Sequence, residues 1–170
     1  LNKKTFLTVE LGLQSSNENT LKLINRGHDA KSFENAVNKL HKLNIFVVAH
    51  IINGLPYETK EDMLNTVKFL NNLKVDAVKI HMLHILKGTE IEKLYNKEKF
   101  HILTKEEYID IVINQLEILD EKIVIERITG DPIKDDLIAP LWLTKKFCLL
   151  NDIDKEMVKR DTYQGKKNNN

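Results

Sequence analysis

Five polar side chains fall on or at the ends of β-rich runs: Glu10, Gln14, His50, Lys79 and His81. A carboxylate, an ammonium and two imidazoles can pair as ions or exchange protons, and a neutral amide can serve two hydroxyls at once. Each has a plainer reading. A histidine on a strand is more often a satisfied structural group than a catalytic one, and Lys79 can be the ion-pair partner of Glu10 as readily as a contact to substrate. His81 and His84 have opposite parity on an extended strand, so no metal is expected on that pair unless the strand has ended by Leu83. His28, His41 and His101 read as surface or loop residues. Gly54, ahead of Leu55-Pro56, marks either a turn or a close backbone approach to a ligand. Cys148, flanked by Phe147, Leu149 and Leu150, reads as a buried small hydrophobe and Trp142 as core.

The elements that position these residues alternate in type. Thr5–Gln14, Asn44–Ile52, Asp76–Leu83 and Lys122–Thr129 read as strands, and each interval leaves room for the crossover that parallel strands require. The stretch from Ser32 through Leu43 spaces Phe33, Ala36, Val37 and Leu40 as one helical face. Thr59-Lys60-Glu61-Asp62 reads as an N-cap with acids in the first turn, and Thr104 to Glu107 as a capping box. After Asp131-Pro132 a helix is expected from about Asp135 to Lys159, broken at Pro140, followed by a frayed tail from Gly165. Strand parity separates two chemistries. Val9, Leu11 and Leu13 alternate with Thr8, Glu10, Gly12 and Gln14, and Val78, Ile80 and Met82 with Lys79 and His81. If the apolar faces pack on helices, the polar faces line a concave surface and converge at the C-terminal mouth of the sheet, where β/α folds bind ligands.

Composition narrows the function classes. With 26 Lys+Arg against 25 Asp+Glu the formal net charge is +1, so no global field draws the chain to nucleic acid or an anionic membrane. The apolar runs are far too short to span a bilayer, and no membrane association is expected. A single cysteine excludes an internal disulfide and any cysteine-only metal site built from this chain, so we expect a cytoplasmic protein with no metal ligands of its own. The chain is shorter than the roughly 250 residues of a complete eight-fold β/α barrel. It opens Leu1-Asn2-Lys3-Lys4, which suggests a piece of a longer protein.

Three segments carry a family likeness in order and spacing: Glu10-Leu11-Gly12-Leu13-Gln14-Ser15, Leu21-Lys22-Leu23-Ile24-Asn25-Arg26-Gly27-His28, and His50-Ile51-Ile52-Asn53-Gly54-Leu55-Pro56-Tyr57-Glu58-Thr59. They resemble the second half of the radical S-adenosylmethionine (SAM) core. Lys79 through Thr89, Arg127-Ile128-Thr129-Gly130-Asp131 and Asp136 through Trp142 narrow the resemblance to the bacterial YhcC-type proteins, related to the catalytic subunit of elongator. The resemblance implies an α/β fold: a partial β/α (TIM-like) barrel, the second half of a six-unit radical SAM barrel, plus a helical C-terminal extension. On this reading residues 1–100 belong to the barrel core, 101–165 form the extension packed on the same domain, and 166–170 are a disordered tail.

The resemblance also implies an activity. In the family a CxxxCxxC loop holds a four-iron four-sulfur cluster, and one electron from it cleaves SAM to a 5′-deoxyadenosyl radical that abstracts hydrogen from substrate. Those cysteines are absent here, so the intact parent is read as the enzyme and this piece as inactive, with an unknown substrate. Position by position, Gln14 matches the residue bonding the SAM ribose and Arg26 the arginine pairing with its carboxylate. Ile52 and Gly54 match the strand motif flanking the adenine, and His50 stands where related enzymes often carry Asp. Leu83 and His84 match the strand end that meets the adenine edge. Glu10, Lys79 and His81 are substrate candidates that no family motif fixes. Transfer RNA enters only by analogy with elongator. Two other readings stay open: a non-catalytic β/α module holding a small anion or a partner peptide, and an aldolase-like or hydrolytic barrel using Lys79 and His81 as acid and base. A half barrel would leave the edge of its first strand unpaired, so self-association through that edge is expected.

Overall fold

The computed structural model describes residues 5–130, 134–144 and 146–168. Four strands form one parallel sheet in the order β1 (Thr8–Gln14), β2 (Phe46–Asn53), β3 (Ala77–Met82) and β5 (Val124–Arg127). All four lie where the period-two runs place them. Short α1 (Glu18–Leu23) and α2 (Ala30–His41) connect β1 to β2, and α3 (Lys60–Leu73) connects β2 to β3. Between β3 and β5 come β4 (Ile85–Leu86), α4 (Glu90–Glu98) and α5 (Lys105–Ile118). The chain closes with β6 (Leu137–Ala139) and α6 (Lys146–Lys159).

Side-chain oxygens fix where the helices start. Thr59 and Asp62 cap α3 reciprocally, and Thr104 and Glu107 do the same for α5, so the first unpaired N–H groups of each helix are satisfied locally. The apolar parity of the strands then finds its partner. Val47, Ala49, Ile51, Val78, Ile80 and Met82 join Phe33 and Val37 of α2, Val67 and Leu70 of α3, and Tyr108, Val112 and Ile113 of α5 in one core. Within this apolar layer sits a buried amide pair. Asn53 Nδ2 donates to Gln115 Oε1 at 2.8 Å, Gln115 Nε2 donates back to Asn53 Oδ1 at 2.9 Å, and Gln115 Nε2 also reaches the Met63 carbonyl at 3.0 Å.

The region after β5 departs from expectation. Asp131 and Pro132 lie outside the described residues. The single broken helix is replaced by a 3-10 turn at Lys134–Asp136, strand β6 pairing antiparallel with β4, a second 3-10 turn at Leu141–Thr144, and then α6. The cause is local and tertiary together: a residue ahead of proline disfavours helix, which holds Ala139 extended, and Ile85–Leu86 offers that extended segment a partner. Cys148 is exposed, not buried. Leu149 and Ile153, one turn apart on α6, take the core-facing side and leave the adjacent Cys148 turned away from it. Trp142 packs against the core and donates its indole N–H to the Leu103 carbonyl at 2.9 Å.

The segment to Asn168 is not frayed either. The last carbonyls of a helix have no partner inside it, and those of α5 are met by its C-cap residue and by segments elsewhere in the chain. Leu119 N–H bonds Gln115 O, Gly165 N–H bonds Leu116 O, Lys167 N–H bonds Glu117 O, and Asn71 Nδ2 bonds Ile118 O. Gly165 has φ +82°, a conformation glycine adopts without strain.

The amide pair generates a prediction. Gln115→Leu should cost roughly 2–3 kcal/mol by stranding the Asn53 amide in the core, whereas the double variant Asn53→Leu/Gln115→Leu should cost less than the sum of the two single changes. Urea unfolding of the four proteins measures this, and strict additivity would argue against the pair.

Candidate active site

The register of the sheet sets Gly12, His50, Lys79 and Arg127 side by side on β1, β2, β3 and β5. An irregularity between Val78 and Lys79 brings Glu126 to the same lysine. Lys79, with only 16% of its side chain exposed, donates to Glu10 at 2.6 Å and lies 3.4 Å from Glu126. Glu10 also accepts from His50 Nε2 at 2.7 Å. Bonds from Lys79 and then from His50 hold the Glu10 carboxyl below its ordinary range, and Glu10 raises the Lys79 ammonium in return. The expected ion pair is thus present, as part of a network with His50 and Glu126.

One layer toward the mouth, His81 pairs in register with Ile52 and stacks on His50, ring centroids 5.6 Å apart. Burial, and then the neighbouring His50, Arg127, His84 and Lys79, push its imidazole down to about 4, so the ring is neutral at pH 7. Its Nε2 is buried with no hydrogen-bond partner among the described residues.

At the open end of β1 the chain turns at Gln14, whose φ of +72° is left-handed. Here the arginine and amide singled out in the sequence meet. A Cβ on Gly12 would stand 2.7 Å from both Arg26 Nη2 and Gln14 Nε2, so only glycine leaves room for their approach. Arg26 Nη2 donates to the Gly12 carbonyl at 2.7 Å, while its Nε is buried without a partner among the described residues. His28, read from the sequence as a surface residue, is exposed but places Nε2 3.2 Å from the same carbonyl. Gly12, Arg26, His28 and Phe33 border a cavity of about 350 Å³ beside β1.

The remaining candidates sit at the mouth between β2 and β3. Ile52 is half-buried on the last turn of β2 toward Gly54. Gly54 has φ +80° and would press a Cβ to 3.0 Å from Leu103, so turn geometry and packing both demand glycine there. The Leu83 N–H is already taken by the Asn53 carbonyl at 2.9 Å. The His84 ring lies where a Cβ on Gly130 would be, 2.6 Å away, so the segment after β5 forms its floor. A group that sequence reasoning missed ties two of these loops together: Ser15 Oγ donates to Glu58, and Ser15 Oγ accepts from Asn17 N–H at 3.0 Å. Burial pushes the Glu58 carboxyl up to about 7, with nearby Asp62 adding and the Ser15 and Thr20 hydroxyls opposing. Nothing in a sequence shows a loop carboxylate meeting a strand-end serine so far away in the chain. Among the described residues no group of three or more His, Cys, Asp or Glu is placed to hold a metal ion, and no helix is long and apolar enough to cross a membrane.

Two family models match the chain: that of the Radical SAM superfamily over residues 1–70 and that of the Radical_SAM C-terminal domain over residues 75–159. The chain belongs to the radical SAM superfamily. It is 46% identical over 166 residues to the uncharacterized protein YtqA of Bacillus subtilis, covering 98% of this chain and 52% of YtqA. It is 29% identical over 147 residues to protein YhcC of Escherichia coli, covering 86% of this chain and 48% of YhcC. The chain therefore spans about half the length of these curated relatives. In fold it is similar to the archaeal Elp3 of Methanocaldococcus infernus, with a TM-score of 0.82 at 24% identity over 93% of this chain and 37% of that one. The resemblance to YhcC-type and elongator-type proteins, and the α/β architecture it implied, hold.

Glu58 supplies the prediction here. Its carboxyl is protonated more readily in the folded chain than in the unfolded one, so it lowers stability progressively as pH rises from about 4.5 to about 7. Glu58→Gln keeps an acceptor for Ser15 and removes that titration. The variant should melt above the wild type at about pH 8 and no higher at about pH 4; identical pH dependence in both would place the Glu58 titration elsewhere.

Proposed function

We propose that this chain carries the SAM-binding and substrate-facing part of a radical SAM iron–sulfur enzyme. The observation that carries the reading is the convergence of Arg26 and Gln14 over Gly12, with a buried guanidinium nitrogen left without a partner among the described residues. A buried donor without an acceptor costs free energy unless a ligand meets it. A carboxylate meets it well, because the planar guanidinium offers parallel N–H groups to two oxygens.

The residues fit SAM in distinct roles. Arg26 would hold the carboxylate of its methionine part, and Gln14 would bond the ribose hydroxyls. Ile52 and Gly54 offer an apolar side chain and a close backbone beside the adenine, with His50 next to them. The Leu83 N–H is committed to Asn53, which leaves its carbonyl and the His84 ring as the groups facing the adenine edge. When bound and reduced by a cluster, SAM supplies a 5′-deoxyadenosyl radical able to abstract hydrogen. This chain's part is to orient SAM and exclude water from the concave face. It has one cysteine, exposed on α6, so three thiolates for a cluster must come from elsewhere and the chain alone is inactive. The outer edge of β1, at the end of the sheet, is where the remaining barrel strands would pair.

In the full-length, anaerobically reconstituted protein, Arg26→Ala and Gln14→Ala should each weaken SAM binding by about 1–3 kcal/mol. Equilibrium dialysis with SAM reads this, and unchanged affinity in both variants overturns the two assignments. Release of 5′-deoxyadenosine on reduction tests the enzyme class; its absence favours the non-catalytic binding module. The 170-residue chain by itself should self-associate through β1, and a monomer by light scattering at high concentration counts against that.

A further inference from the structure

The concave face divides its charges unevenly between two layers. In the lower layer the carboxylates are committed: Glu10 to Lys79 and His50, and Glu126 to Lys79. In the upper layer His81 is surrounded by nitrogen. Besides its burial, the groups acting on it are His50 from β2, Arg127 from the end of β5, His84 from the mouth, and Lys79 from below. Among the described residues no carboxylate is among the groups acting on it, and its buried Nε2 has no hydrogen-bond partner. Such a position, bordered by nitrogen-bearing side chains and holding a buried ring nitrogen, is complementary to a negative oxygen.

We propose that His81 and Arg127, backed by Lys79, receive an oxyanion of the substrate, a carboxylate or a phosphate. The inference rests on reading the concave face as the substrate side of a radical SAM enzyme. It assigns a second anion position, on the β3–β5 side of the sheet, distinct from the Arg26 position at the edge of β1. An arriving oxyanion accepts from the Arg127 guanidinium and from His81, whose ring takes up a proton from solvent and becomes a charge-assisted donor. The SAM position and the oxyanion position then lie on opposite flanks of His50, which leaves the middle of the concave face for the rest of the substrate. The specificity determinants come from both halves of this chain: His81 from the barrel core and Arg127 from the segment that leads into the C-terminal extension.

The test uses the full-length protein, without SAM, at neutral pH. Inorganic phosphate and acetate are titrated separately while the histidine Hε1 signals are followed by NMR, with the His81 signal assigned by its loss in His81→Gln. The expected result is a saturable downfield shift of that signal with at least one of the two anions, the anion that acts distinguishing a phosphate from a carboxylate site. Arg127→Gln should weaken the response tenfold or more, while Arg26→Ala changes it less than twofold. A His81 signal indifferent to both anions, or a response that Arg26→Ala abolishes and Arg127→Gln spares, overturns the proposal. SAM affinity measured on the same samples keeps the two readings apart. An intact anion response with no SAM binding removes the radical SAM reading alone, and normal SAM binding with no anion response removes this one alone.

Discussion

One positive charge organises the concave face. The Lys79 ammonium sits mostly out of water on the third strand of the sheet, and an uncompensated charge there would cost several kcal/mol. Carboxylates from the strands on both sides answer it, Glu10 from β1 and Glu126 from β5. The pairing ties the first described strand to the last one of the sheet across β2. It also decides what surrounds it: Glu10 draws in His50, His50 stacks on His81, and His81 stays neutral chiefly because it is buried.

The opposite face of the same strands obeys a different rule. It is apolar and packs on α2, α3 and α5, and the Asn53–Gln115 amide pair inside it is satisfied by its own two bonds and the Met63 carbonyl. A strand with two such faces has its register fixed, because a slip by one residue would send Lys79 and His81 into the core. The same constraint therefore gives both stability and the layout of the site.

Much of this was legible in the sequence, for a physical reason. Parity has a period of two whatever the tertiary context, so Glu10, Lys79 and His81 could be placed on one face from their neighbours alone. Capping chemistry is equally local, and Thr59 and Thr104 open helices as their sequences indicate. What stayed hidden depends on partners distant in the chain. The β4–β6 ribbon needs two short segments to meet, Glu126 reaches Lys79 only through an irregular register, and Glu58 meets Ser15 across two loops. Cys148 was misplaced because composition around a residue does not tell which side of a helix it faces. Gln14 was placed by strand parity and Arg26 through family likeness; spacing alone does not bring the two to Gly12.

The closure of α5 by residues 165–167 bears on the order in which this part of the protein can form. Two of the helix's terminal carbonyls, on Leu116 and Glu117, wait for Gly165 and Lys167, which leave the ribosome long after the helix itself. Until those residues are added, the Leu116 and Glu117 carbonyls have only water to complete them. The last turn of α5 thus closes only after the residues that follow α6 have been added.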